Sequence, residues 1–148
     1  MKRSIEFTVY GKPKGQPRAR AYKRGDRAGV FSPNTADDWK NRIAIAYQAE
    51  ERQKVPAKAS VELCLSFTLE RPKSHRTSKG ALRKGASRTH VSKPDVSNLV
   101  KLVEDVLTDC GAWADDSQVD ELHSSKRWTS QKGQQGVWIR FEWENVEA

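Results

Sequence analysis

The sequence predicts an α+β fold: a single domain, residues 1–148, in which a mixed β-sheet carries two main helices in the order β-α-β-α-β-β. Three observations predict it. Val61 to Leu69 alternate apolar and polar residues, and Gly136 to Trp143 do the same, as half-buried strands do. Asp95 to Leu107 switch to the helical period, with apolar residues confined to an arc of roughly 160°. The chain of 148 residues is long enough to bury a core of its own, although only 36% of it is hydrophobic.

Taken in order, Ile5, Phe7 and Val9 share one face of a first strand from Ser4 to Tyr10. Gly11 to Gly29, rich in Gly, Pro and basic residues, is expected to be a loop, and its seven Lys/Arg face only Asp26. Asn34 to Arg52 has the spacing of a helix, with Trp39, Ile43, Ala46 and Tyr47 forming its apolar stripe. After the strand Val61–Leu69, residues 71–93 hold eight Lys/Arg and no acid. This basic segment is expected to be a flexible loop that buries little. The second helix, Asp95 to Leu107, has Pro94 at its first turn, Ser92 or Asp95 as its cap and Gly111 as its stop. A weaker strand, Ser117 to Trp128, and the strand from Gly136 complete the order.

The formal net charge is +8 and the isoelectric point is near 9.7, which makes a polyanion the leading class of partner. No apolar run approaches the roughly 18 residues of a membrane span, and the N-terminus has no continuous apolar core of a signal peptide. A cytoplasmic protein is expected. Cys64 and Cys110 are far apart and lack zinc-ligand spacing, so both are expected as free thiols. His75, His90 and His123 are isolated in the sequence and receive no role; Trp39, Trp138 and Trp143 are assigned to core or interface.

Within this basic chain, acids gather at Asp95, at the head of the second helix, and at Asp115 and Asp116 just beyond its end. Carboxylates converging from separate elements form the usual cradle for Mg²⁺ beside a phosphodiester. An acidic turn before a strand explains Asp115 and Asp116 equally well. Lys101, on the polar arc with Ser97, Asn98, Glu104 and Asp105, either contacts a scissile phosphate or pairs with Asp105 at i+4.

The two blocks KPDVSNLVK and GAWADDSQV resemble the RusA family of Holliday junction resolvases, metal-dependent endonucleases carried by many prophages. Lys93, Pro94, Asp95, Asn98, Leu99, Lys101, Asp105 and Leu107 match the first motif. Trp113, Asp115, Asp116, Gln118 and Val119 match the second, while GKPKGQPRAR and VFSPNTADDWK resemble the family's opening. The resemblance implies Mg²⁺, with Mn²⁺ as a substitute, held by Asp95, Asp115 and Asp116, and Lys101 as a fourth catalytic residue. It implies cutting of four-way DNA junctions by a homodimer in recombination and repair. Arg18, Arg20, Lys23 and Arg24 of the first loop, with Arg76, Lys79, Arg83, Lys84 and Arg88 of the second, are the expected DNA contacts. Tyr22 and Phe31 either insert at the junction or pack back on the domain.

One departure stands out. Ser97 occupies a position where many members carry a second aspartate. A neutral hydroxyl is a weaker ligand, and Glu104, two helical turns on, is too far to replace it. The alternative to an active resolvase is therefore a branched-DNA-binding protein of the same fold in which cleavage is impaired at Ser97.

Overall fold

The protein, seen here in a computed structural model, is described at residues 2–31, 33–50 and 54–145. Its main sheet has the order β1-β6-β4-β5, formed by β1 (Lys2–Tyr10), β4 (Val61–Leu69), β5 (Val119–Trp128) and β6 (Gly136–Glu144). β6 runs antiparallel to both β1 and β4, whereas β4 and β5 are parallel, so the sheet is mixed as expected. The parallel pair needs a crossover connection, and α2 (Val96–Asp109) supplies it. α2 and α1 (Asp37–Gln48) pack together on one sheet face.

The period-two residues named above meet the helical stripes there. Phe7, Val9, Leu63, Leu65, Phe67, Ile139, Phe141 and Trp143 are buried against Trp39, Ile43 and Tyr47 of α1 and Leu99, Leu102, Val103 and Leu107 of α2. Each such side chain contributes roughly 1.5–3 kcal/mol through its removal from water. Trp39 and Trp143 thus lie in the core; Trp138 is half-buried on the opposite face, where its indole N–H donates to Glu6 at 3.0 Å.

Three boundaries differ from expectation. α1 starts at Asp37, because Asp37 N–H donates to the Asn34 carbonyl at 3.2 Å and closes a turn ahead of the helix. It closes at Gln48, with Ala49 as its C-cap, short of the expected end at Arg52, a residue that itself lies outside the described residues. β5 starts at Val119, because residues 116–118 form a 3₁₀ turn.

The expected loop at 11–29 is corrected more substantially. Its second half and the two residues beyond form an antiparallel hairpin, β2 (Arg20–Arg24) with β3 (Arg27–Phe31), turned at Gly25, whose φ is +56°. The alternation in β2 is carried mostly by basic residues, so it leaves no hydrophobic signal to read.

Residues 71–93 bury little, as expected, with only Arg71 and His90 buried, yet they are held at several points. Arg71 is buried and donates through Nε to the Thr129 carbonyl at 2.7 Å. Single bridges join Arg76 to Leu82 and Thr89 to Arg127. His75 meets the Trp128 ring edge-on at 5.1 Å, and buried His90 lies 4.1 Å from the same ring. An indole at the end of a strand thus organises two histidines that look isolated in sequence.

Burial, and secondarily the Lys126 charge, hold the His90 pKa below its usual value. A depressed imidazole pKa favours the neutral folded form. Its stabilisation is complete above the ordinary histidine pKa of about 6.5 and is lost as pH falls from there through the folded value. Denaturant melts between about pH 7.5 and pH 5 are expected to show this loss, and His90→Phe to flatten it. Equal slopes in both proteins would remove His90 as its source. Among the described residues no helix is long and apolar enough to cross a membrane.

Candidate active site

The site is set by how α2 ends. Gly111, at φ +83°, donates to the Thr108 carbonyl, and Ala112 donates to the Leu107 carbonyl at 2.9 Å, the paired bonds of a Schellman stop. Trp113 then turns inward, its indole N–H 2.7 Å from Thr108 Oγ1 and its ring edge-on to Phe141. This reversal carries Asp115 and Asp116 back beside the C-terminal half of α2.

Gln118 holds the acidic turn in place. Its Oε1 accepts from the N–H groups of Ala114 and Asp115, while its Nε2 donates to the carbonyls of Pro56 and Ala59 at 2.9 and 3.0 Å. Asp115 accepts from both the backbone N–H and the hydroxyl of Ser117, and these bonds hold its pKa below the usual carboxylate value. The Asp116 carboxylate takes part in no hydrogen bond or ion pair among the described residues, so its two oxygens remain available, while its backbone carbonyl accepts from Val119 N–H. Gln118 was visible in the sequence as a motif match, but its positioning role emerges only from the contacts.

An open cavity of about 350 Å³ lies here, lined by Gln16, Lys40, Asp105, Asp109, Asp115 and Asp116 among others. Glu104 adjoins it: burial, then the charges of Asp116 and Asp105, push its carboxyl pKa up, partly offset by Lys101. The residue set aside as a substitute for Ser97 therefore belongs to the other acidic group. Crowded carboxylates of this kind are stabilised by a cation, and an all-oxygen donor set fits Mg²⁺ or Mn²⁺.

Asp95 stands elsewhere. It occupies the N-cap position of α2, with its carbonyl accepting from Asn98 and Leu99, but its carboxylate caps no N–H. The carboxylate pairs instead with Lys93 Nζ at 3.1 Å. Lys126, near the end of β5, donates to the carbonyls of Ser92 and Pro94, fixing this end of α2 beside the end of that strand. A helix of 14 residues is about 20 Å long, so Asp95 and the Asp115–Asp116 turn lie near opposite ends of α2. Ser97 is exposed in the first turn, and Lys101, midway, lies 3.7 Å from Asp105, the pairing its spacing had left open.

Among the described residues, one group brings three ligand-type atoms within 4.8 Å of one another: Glu62, Glu121 and His123, on the sheet face away from the helices. His123 Nε2 sits 3.6 Å from Glu62 and 3.7 Å from Glu121. This group could hold a metal ion. Sequence spacing does not reveal it, because Glu62 reaches the other two only through the β4–β5 register.

The basic residues cluster in two places. Arg18, Arg20, Lys23 and Arg24 are exposed along the hairpin and its stem. Arg76, Lys79 and Arg83 line a wide cavity of about 920 Å³ together with Arg71, Lys73 and Lys132, against a single acid, Glu70. The Nε and Nη2 atoms of Arg76 are buried there without a hydrogen-bond partner, leaving donors for an anion. Lys84 lines the neighbouring cavity with Arg83, and Arg88 is exposed.

Two helices that carry an acidic cavity on a mixed sheet, with two exposed basic arms, suit an enzyme that acts on nucleic acid. The chain matches the family described as "Endodeoxyribonuclease RusA" over residues 10–140 and belongs to that family. It is also 34% identical over 125 residues to the uncharacterized protein YqaN of Bacillus subtilis (strain 168), covering 82% of this chain and 86% of the relative.

Proposed function

We propose that this protein is a Mg²⁺-dependent endonuclease that resolves four-way DNA junctions as a homodimer, in the cytoplasm, during recombination and repair. Membership of an endodeoxyribonuclease family supports the chemistry. The observation that carries the assembly is the separation of Asp95 from Asp115 and Asp116 along α2. β5 is an edge strand: β4 covers one side, and only its far end is bonded on the other, where Trp128 N–H donates to the Arg88 carbonyl. Leu122, on the core-side face of that strand, is left exposed. A second copy laid antiparallel along β5 across a two-fold axis brings each Asp116 beside Asp95 of the partner subunit. Two composite sites result, one for each strand that junction resolution must cut.

In this arrangement Asp116, Glu104 and Asp95 of the partner subunit would hold the cation, and Asp115, engaged by Ser117, keeps the turn in shape. The cation, when bound, supplies charge stabilisation of the phosphorane and a more acidic water. Lys101 offers a positive charge to the scissile phosphate once Asp105 releases it, and Arg76, Lys79 and Arg83 take the flanking backbone. Junction selectivity follows from shape and deformability more than from base contacts.

Incubating an end-labelled four-way junction with the protein and Mg²⁺ or Mn²⁺ tests the reading. Paired, symmetric nicks are expected. Tight junction binding without nicks in either metal would instead favour the binding protein impaired at Ser97. Ser97→Asp provides a finer check, since it adds a hard anionic ligand two residues from the Asp95 cap. The Mg²⁺ midpoint for nicking is expected to fall severalfold, and an unaltered midpoint would place Ser97 outside the metal shell.

A further inference from the structure

The hairpin β2–β3 has a construction that phosphate binding alone does not require. Every residue of β2 is exposed, and so are four of the five in β3. In the register Arg20↔Phe31, Tyr22↔Gly29 and Arg24↔Arg27, one face carries three arginines and two aromatic rings. The rings of Tyr22 and Phe31 lie 6.1 Å apart and tilted, yet remain 45% and 49% exposed. Tyr22 lies over Gly29, where any Cβ would collide with its ring, so the glycine lets the aromatic lie flat on the ribbon. These aromatics do not pack back on the domain, one of the two outcomes their loop position had left open.

The stem of the hairpin is anchored beside the acidic cavity. Gln16, which lines the cavity, exchanges backbone and side-chain hydrogen bonds with Asn98 of α2 at 3.3 Å. Gly15 backs directly onto Asn98, where a Cβ would clash. Lys14 Nζ donates to the Thr35 carbonyl at 3.0 Å, tying the outgoing stem to the turn where the chain returns to α1. The arm therefore leaves the domain only a few residues from the carboxylates.

We propose that this hairpin is a wedge for branched DNA, with Tyr22 and Phe31 stacking on a base exposed at the branch point while Arg20, Arg24 and Arg27 hold the adjacent phosphates. The occupant follows from the chemistry of the face. Arginines seek phosphate, and aromatic rings stack on bases without regard to sequence. Bases at a branch are the ones whose unstacking costs least. The inference rests on the junction reading above and adds to it the element that opens the crossover.

The test uses the full chain with Asp116→Asn, to prevent cutting, and a four-way junction carrying 2-aminopurine at the crossover. Binding is expected to raise 2-aminopurine fluorescence severalfold, as the base leaves its stack. Adding Tyr22→Ala and Phe31→Ala should abolish the rise while junction affinity falls by less than about tenfold, because the arginines remain. The melting temperature should not move, since neither ring is in the core. Tyr22→Trp with Phe31→Trp should restore the rise. Binding that prefers the junction without any rise, or a rise that survives the double alanine change, overturns the wedge alone. No preference for the junction over duplex DNA overturns the wedge together with the function it rests on.

Discussion

Asp95→Asn and Asp116→Asn, each inactive alone, are expected to regain nicking when the two proteins are mixed. Either substitution keeps the shape of the side chain and removes a charged ligand, so a loss of at least about 100-fold in cleavage is expected, equivalent to roughly 3 kcal/mol of transition-state stabilisation. Junction binding should persist or tighten, because a negative charge near the phosphates is gone. A mixed dimer of the two variants contains one composite site with both substitutions and one with neither. It should therefore nick one strand of a junction while failing to make the paired cut. If Asp95 and Asp116 of the same subunit form the site, every site in the mixture is broken and no activity returns. Mixing after subunit exchange, with single-strand nicks read on a denaturing gel, separates these cases. The arrangement has a physical basis in the chain itself: α2 is a rigid rod, and no turn at its end can bring its two termini together.

The second large effect is on affinity. Replacing Arg83, Lys84 and Arg88 together with alanine is expected to weaken junction binding by up to about 500-fold near 0.1 M salt, since each lost phosphate contact removes about 0.9 from the log–log salt slope. The fold should survive. The hydrogen bonds that hold these residues are main-chain ones, from Arg83 N–H to the His75 carbonyl, from Ala86 N–H to the Arg83 carbonyl and from Trp128 N–H of β5 to the Arg88 carbonyl. Binding measured across a salt series checks this, and an unchanged slope would show that the three side chains only solvate the surface. The same substitutions at Arg71 would confound the measurement, because its buried guanidinium holds the segment to Thr129.

What the sequence determined by itself is the scaffold. Period-two alternation in β4 and β6 and the apolar arc of α2 specify which faces are buried, because burial of a repeating pattern is a local property of strand and helix geometry. Gly111 marked the end of α2 for the same reason, since its positive φ is a demand of the cap alone. The acidic and basic residues proposed for the site are also legible, as motif matches and charge runs. Their arrangement is not. The hairpin at 20–31 is not legible in the sequence because its alternation is mainly basic, and no hydrophobic pattern distinguishes a solvated ribbon from a loop. The anchoring of residues 71–93 by Trp128, and the Glu62–Glu121–His123 group, depend on the register between β4 and β5 and on contacts across many residues of chain. Only the tertiary structure decided that Glu104 stands beside Asp116 while Asp95 stands far from both. Sequence spacing states how many residues separate two carboxylates, but the stiffness of the helix between them and the direction of the strand that follows decide whether they can meet.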